Sequence, residues 1–331
     1  MDFDMKPTND RRRLTQTMEN IEGAYAPNTI RAYRVDMEEF IAYCETHDAL
    51  ALPASPETVA AFLVSVIGTG PKSATIRRKV SSISAIHRLS NLPDPTTHSE
   101  VRIAMRKMYR QLGRNAEQAY GITLPLLEKL LAATSDDLRG KRDRALLLMA
   151  HDTLRRQSEL ASLRMEDLEC LSGNGASVLL RRSKTDQDGT GKWLHFSERT
   201  SLALQDWVAS APITEGLILR GVMGCAKVTG QLGDGQISRI YKRLARRAGL
   251  SELTIKAISG HSLRVGGAQD LLLQGASLPQ IMVKGGWCKT DTVMRYVERA
   301  QFRTQNGSQR ALIGIGAKRA TSSGRSSLLT T

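Results

Sequence analysis

Apolar residues recur with a helical period along most of this chain, in segments that stop at Pro or Gly. Clear strand-like alternation appears only at 176–197. A chain patterned this way folds as a mainly α protein with a small sheet. In 26–47, APNTIRAYRVDMEEFIAYCETH, a Pro-Asn-Thr start precedes Ile30, Tyr33, Met37, Phe40, Ile41 and Cys44 on one face. Pro56 leads a second helix that ends at Gly68. A third spans 73–92 and stops at Pro93 and Pro95, and a fourth covers 96–113. Residues 21–112 therefore read as a helical domain, after a polar, mobile stretch at 1–20. The polar, small-residue segment GRNAEQAYG, 113–121, reads as a linker. A second domain follows at 122–316, and a basic tail at 317–331 reads as disordered.

Charge narrows the function. The 331 residues hold 47 Lys and Arg against 33 Asp and Glu, a formal net charge of +14 that favours a polyanionic partner. No apolar run reaches spanning length, which argues against a membrane protein, and MDFDMKPTNDRRR has no secretory apolar stretch. Cys44, Cys170, Cys225 and Cys288 lack metal-site spacing and fit a reducing compartment. Between Lys72 and Arg114 ten basic residues stand against only Asp94 and Glu100, so Arg77, Arg78, Lys79, Arg106 and Lys107 are candidates for contacts with phosphate groups. In 235–250, Arg239, Lys242, Arg243, Arg246 and Arg247 form a stripe on one helix face, above Ile237, Ile240, Tyr241 and Leu244. That stripe suits a DNA backbone or major groove, with a membrane-surface helix as its other reading, and a solvated face is the other reading of the 72–114 run.

The chemistry concentrates in 260–300, which places His261, Arg264, Trp287 and Tyr296 in one ordered run. Arg neutralises charge on a phosphorane, His exchanges hydrogen bonds or a proton, and a phenol is a latent nucleophile. Singly, each has a plain structural reading: His-x-x-Arg as helix surface, Tyr296 as a core aromatic. Upstream, RRQSELASL contains Arg156 and Glu159, which alone read as an i,i+3 ion pair. The hairpin at 176–197 carries Lys184 and Lys192. His195, on its returning strand, reads as structural or exposed. His47, His87, His98 and His151 have no partners at metal spacing.

Taken in order, Arg156, Lys184, His261-x-x-Arg264, Trp287 and Tyr296 resemble the active-site signature of the tyrosine recombinases, the phage integrase family. The Cre-like branch is nearest, through PNT-x-RAYR at the first helix, LSNLP-x-P near the third, the Arg156-to-Lys184 spacing, and Trp at 287 where other members have His. The resemblance implies a C-shaped clamp, with a helical core-binding domain and an α-rich catalytic domain bearing a small β-sheet. It makes Tyr296 the nucleophile of a site-specific DNA recombinase. Arg156, His261, Arg264 and Trp287 would hold the phosphate, and Glu159 would set their geometry. Lys184 matches the family's mobile lysine, with Lys192 as its competitor. No cofactor and no metal are implied. The implied partners are double-stranded DNA with inverted-repeat sites and three further copies in a homotetramer, in the cytoplasm of a bacterial or phage-infected cell. A terminal segment with Ala311, Leu312, Ile313 and Ile315 would dock on a neighbouring subunit or pack on its own. A type IB topoisomerase-like nicking-closing enzyme and a non-catalytic DNA-binding or architectural protein are the alternatives.

Overall fold

A computed structural model of the chain describes residues 8–114, 118–170, 175–183, 186, 189–224 and 227–298. They form two compact units divided between residues 117 and 118.

The first unit is all helical: α1 (Thr8–Asn20), α2 (Pro27–Thr46), α3 (Pro56–Gly68), α4 (Ser73–Leu89) and α5 (Ser99–Leu112). Proline opens α2 and α3 where its missing N–H costs nothing, and the Ser55 hydroxyl accepts from the Thr58 amide to cap α3. Met37, Phe40, Ile41, Phe62, Leu63, Ile76, Ile83 and Met108 are fully buried and form the core, with Phe40 edge-on to Phe62 at 5.0 Å.

Two expectations need correction here. Residues 8–20, read as mobile, are the helix α1. Its few apolar side chains, Leu14 and Met18, lie in the core with Ile21, and the Asp10 carboxylate accepts from the buried Ala51 amide at 2.8 Å. Lys79, read as a phosphate contact, is only 5% exposed. Its ammonium is bonded to Glu39 and stands 4.0 Å from the buried Asp36. A buried ammonium is stable only beside such carboxylates. Arg77, Arg106 and Lys107 are exposed. Arg78 is exposed too, although it also pairs with Asp36 at 3.0 Å.

The second unit contains α6 (Leu124–Ala132), α7 (Leu138–Thr153), α8 (Gln157–Ala161), β1 (Leu168–Cys170), β2 (Ala176–Leu180), β3 (Lys192–Phe196) and α9 (Glu198–Ser210). Then come β4 (Arg220–Met223), β5 (Lys227–Gln231), α10 (Asp234–Arg247), α11 (Glu252–Ala257), α12 (Ser262–Leu273) and α13 (Leu278–Gly285); residues 290–298 are also helical. The expected hairpin is β2–β3, in register Val178↔Leu194, and β1 extends it to an antiparallel order β1-β2-β3. A second antiparallel ribbon, β4–β5, pairs Val222 with Val228 and Met223 with Lys227. The core runs along α7, where Ala145 to Ala150 are all buried. Trp207 packs into it and donates to the Ile218 carbonyl at 2.9 Å.

Candidate active site

Three backbone turns converge on Arg264. The first ends α7, where Leu154 adopts φ 53°, a left-handed conformation that a branched side chain takes at a cost of about 1–2 kcal/mol. The second ends α13 at Gly286, φ 67°. The third opens α12, with His261 as its N-cap residue. Arg264, in the first turn of α12 and 2% exposed, donates to the carbonyls of Leu154 and of Gly285, the latter at 2.7 Å. The face of its guanidinium lies 3.9 Å from the centre of the Trp287 ring. Its other terminal nitrogen, Nη2, is buried and has no acceptor among the described residues. Burial, then the nearby Arg156, pushes the Arg264 guanidinium down to about 10, still cationic at neutral pH.

Trp287 in turn meets Tyr296 edge to face, ring centres 5.9 Å apart. Tyr296 is half-buried on the 290–298 helix. That helix is fastened to α12 by the Gln269 amide, which donates to the Tyr296 carbonyl at 2.9 Å. Leu154, Ala268, Ile281, Val293 and Val297 pack beneath both rings. Arg156 precedes α8, and its guanidinium donates to Glu159 at 2.5 Å. The second Glu159 oxygen accepts the Arg156 amide at 3.2 Å. The adjacent Arg156 and Glu159 and the phenol of Tyr296 all act electrostatically on Arg264. His261 is exposed at the head of α12, its amide donating to the Ser259 hydroxyl at 3.2 Å.

Arg156, Glu159, Arg264, Trp287 and Tyr296 thus share one site, with His261 three residues before Arg264 at its edge. Lys184 lies outside the described residues, as do Ala311, Leu312, Ile313 and Ile315. Lys192 is described: it sits at the start of β3 and its ammonium donates to the Val283 carbonyl at 2.6 Å. Sequence reasoning passed over Arg155, which is 4% exposed and donates to the Lys284 carbonyl at 3.0 Å. The spacing to Glu159 selects its neighbour Arg156, and nothing in the linear pattern marks Arg155 as buried.

On α10 the basic stripe divides. Arg239, Arg246 and Arg247 are exposed and Lys242 is half-buried, while Arg243 turns inward to Asp143, which also binds Arg142. Arg243 is therefore corrected from a phosphate candidate to a partner of a buried carboxylate, although its side chain keeps 36% exposure. No helix among the described residues is long and apolar enough to cross a membrane.

A buried cationic site beside a tyrosine, in a mainly α chain of two units with a small sheet, defines a class that comparison with known proteins makes specific. A model of the phage integrase family matches residues 122–302, and one of the phage integrase N-terminal SAM-like domain matches residues 19–90. The chain belongs to the phage integrase family, and it is an enzyme of the tyrosine recombinase type, which exchanges DNA strands through a tyrosyl intermediate. It is 29% identical to an integrase/recombinase xerD homolog of Selenomonas ruminantium over 91% of this chain and 90% of that one. It is 25% identical to the recombinase cre of Escherichia phage P1, over 85% and 87%. Similarity is therefore shared between XerD-like and Cre-like relatives and does not single out the Cre-like branch. Among solved structures, the XerH site-specific recombinase bound to a palindromic difH substrate has the same fold, with TM-score 0.60 and 16% identity over 84% of this chain and 78% of that one. A lambda integrase dimer bound to a COC′ core site matches with TM-score 0.58 and 16% identity, over 87% and 94%.

Proposed function

We propose that this enzyme is a site-specific DNA recombinase that works through a 3′-phosphotyrosyl intermediate and a Holliday junction. The Tyr296 oxygen attacks the scissile phosphorus and the bond to the 5′ oxygen breaks. Lys184 protonates that leaving oxygen, and His261 takes the phenolic proton. Arg156, Arg264 and the Trp287 indole N–H neutralise or bond the non-bridging oxygens, while Glu159 orients Arg156. The phosphotyrosyl bond retains the energy of the broken phosphodiester, so rejoining by a partner's 5′-OH requires no ATP, and the guanidinium groups supply the charge neutralisation that a metal would otherwise bring. One observation carries the reading: the Nη2 of Arg264, without an acceptor among the described residues and buried beneath Trp287 with Tyr296 against the same ring, leaves a charged donor waiting for an anion.

The substrate in this reading is duplex DNA with inverted repeats; the XerH neighbour is bound to a palindromic difH substrate and the lambda integrase dimer to a COC′ core site. Exposed Arg77, Arg106, Lys107, Arg239, Arg246 and Arg247 follow its backbone. Four copies act on two sites, and the segment with Leu312 and Ile313 links neighbours. Within the family we favour the Cre-like form, because Trp stands at 287 and Lys184 follows Arg156 at the Cre-like interval.

The test incubates the protein with duplexes bearing the inverted repeats that flank its own gene, and looks for protein-linked DNA on a denaturing gel. A covalent band that ignores chelator and disappears in Tyr296→Phe supports the mechanism. Recombinant product from two sites separates it from a nicking-closing enzyme. A mobility shift without any covalent band on those repeats would overturn it.

A further inference from the structure

A cleft of about 580 Å³ lies beside Trp287, between the β2–β3 hairpin and the end of α13. Two cations line it that the proposed cleavage step does not use, Arg155 and Lys192. Both are held by the carbonyl end of one helix: Lys192 by the Val283 carbonyl at 2.6 Å, and Arg155 by the Lys284 carbonyl at 3.0 Å. The Nη1 of Arg155 also lies against Gly286, where a Cβ would collide with it. Capping the negative end of a helix would by itself explain such contacts. It does not explain why Arg155 is 4% exposed with its Nε lacking any acceptor among the described residues.

Nor does any carboxylate among the described residues pair directly with Arg155 or Lys192. Glu159 is within electrostatic reach of Arg155, but both its oxygens are taken by Arg156. Asp186 also lines the cleft, and its carboxylate accepts from the amides of Gly189, Thr190 and Gly191 at 3.2, 3.1 and 2.8 Å. Burial, then the charge of Arg155, lowers the proton affinity of Lys192, as expected of two cations sharing a partly dry space. A buried guanidinium that shares its one nearby carboxylate with Arg156, and whose Nε has no acceptor among the described residues, is costly unless an anion completes it.

We infer that this cleft is a second phosphate subsite, in which Arg155 and Lys192 together grip a DNA backbone phosphate next to the scissile one. The inference rests on the strand-cleavage reading only for the identity of the anion. The two cations line the same cleft as Trp287, whose ring stacks on Arg264, so a phosphate held there would be a neighbour of one held at Arg264. Gripping a neighbouring phosphate fixes the strand's register relative to Tyr296, and it adds affinity that does not depend on base sequence.

The test uses the full chain labelled with ¹⁵N-arginine, titrated first with inorganic phosphate and then with the dinucleotide pTpT. The Nε–H resonance of Arg155, assigned by its loss in Arg155→Lys, is expected to shift and saturate. In Lys192→Met the concentration needed is expected to rise roughly tenfold, the worth of one charge-assisted hydrogen bond. A companion assay replaces single phosphates flanking the cleavage point with neutral methylphosphonates. One position is expected to slow covalent-complex formation by wild type and to have little further effect in Lys192→Met. An Arg155 resonance that stays fixed while others move, an unchanged affinity in Lys192→Met, or additive methylphosphonate losses would each overturn the subsite. Saturable phosphate binding at Arg155 by a protein that never forms a covalent band would keep the subsite and fail the recombinase reading instead.

Discussion

Replacing Glu159 with Gln would expose how the site tolerates its own charge. Glu159 is 4% exposed; one oxygen receives the Arg156 guanidinium at 2.5 Å and the other the Arg156 amide at 3.2 Å. It is also the carboxylate that acts on both Arg155 and Arg264. Glu159→Gln preserves shape and one acceptor but leaves three guanidinium groups around a neutral amide. Removing one partner of a buried pair costs about 3–5 kcal/mol. The Arg156 side chain is 22% exposed, and its access to water, with the acceptor that Gln retains, brings the expected loss to about 2–3 kcal/mol. For a unit of this size that is a fall in melting temperature of roughly 5–10 °C. Phosphate or sulfate entering the site replaces the missing negative charge, so the variant should recover more of its melting temperature on adding either anion than wild type gains. Calorimetric melting of both proteins across an anion series is the assay. Equal melting temperatures, or equal anion responses, would refute the view that Glu159 is the counter-charge of the cluster.

Three other outcomes follow from the same structure. His151 stands 3.5 Å from Asp270 and 4.0 Å from Asp152; burial opposes its charge, but the two carboxylates prevail and raise it to about 9. Its folded-state affinity for the proton exceeds the unfolded one, so its stabilisation is complete below about pH 6.5 and is lost as pH rises through about 9, a loss of at most about 3 kcal/mol. Urea midpoints between these limits should fall in wild type and flatten in His151→Gln. In Gly285→Ala the new methyl group overlaps the Trp287 ring, displacing it from Arg264. Covalent-complex formation should slow roughly 3- to 30-fold, the worth of a cation–π contact, with DNA affinity little changed in a gel-shift assay. Lys79→Met should destabilise the first unit yet leave the salt dependence of DNA binding unaltered, whereas Arg106→Gln should lower the slope of log K against log salt by nearly 1.

The ease of reading the sequence followed the range of the interaction. Helices α2 to α5 and the β2–β3 hairpin were legible because their apolar periods and stop residues are local. Helix α1 was not, since Leu14 and Met18 sit in a charged stretch and only the core of other helices shows what they are for. The three-residue strand β1 is too short to carry a period of its own. Lys79 and Arg243 each belong to a basic run, but their carboxylates come from other helices, 40 residues away in Glu39 and 100 in Asp143. A periodicity argument places a cation on a face without saying which buried acid lies below it. The choice of Arg156 was legible from its distance to Glu159, and the pair forms. The burial of Arg155 depends on the end of α13, 129 residues away at Lys284, and no local pattern announces it.

The contrast between the arginines explains why so much backbone is spent on this site. Arg156 is held by a carboxylate, which orients it and cancels much of its charge. Arg264 is held by the carbonyls of Leu154 and Gly285, and Arg155 by that of Lys284. These are neutral acceptors, which fix a guanidinium and leave its charge intact. To aim such carbonyls inward the chain turns sharply, left-handed at Leu154 itself and at Gly286 just after Gly285. The cost at Leu154 is borne by its side chain, 1% exposed in the cluster under Trp287. A field of fixed positive charge that is already paid for in folding need not reorganise when a phosphate gains negative charge in its transition state, and that is the condition under which buried donors accelerate phosphoryl transfer most.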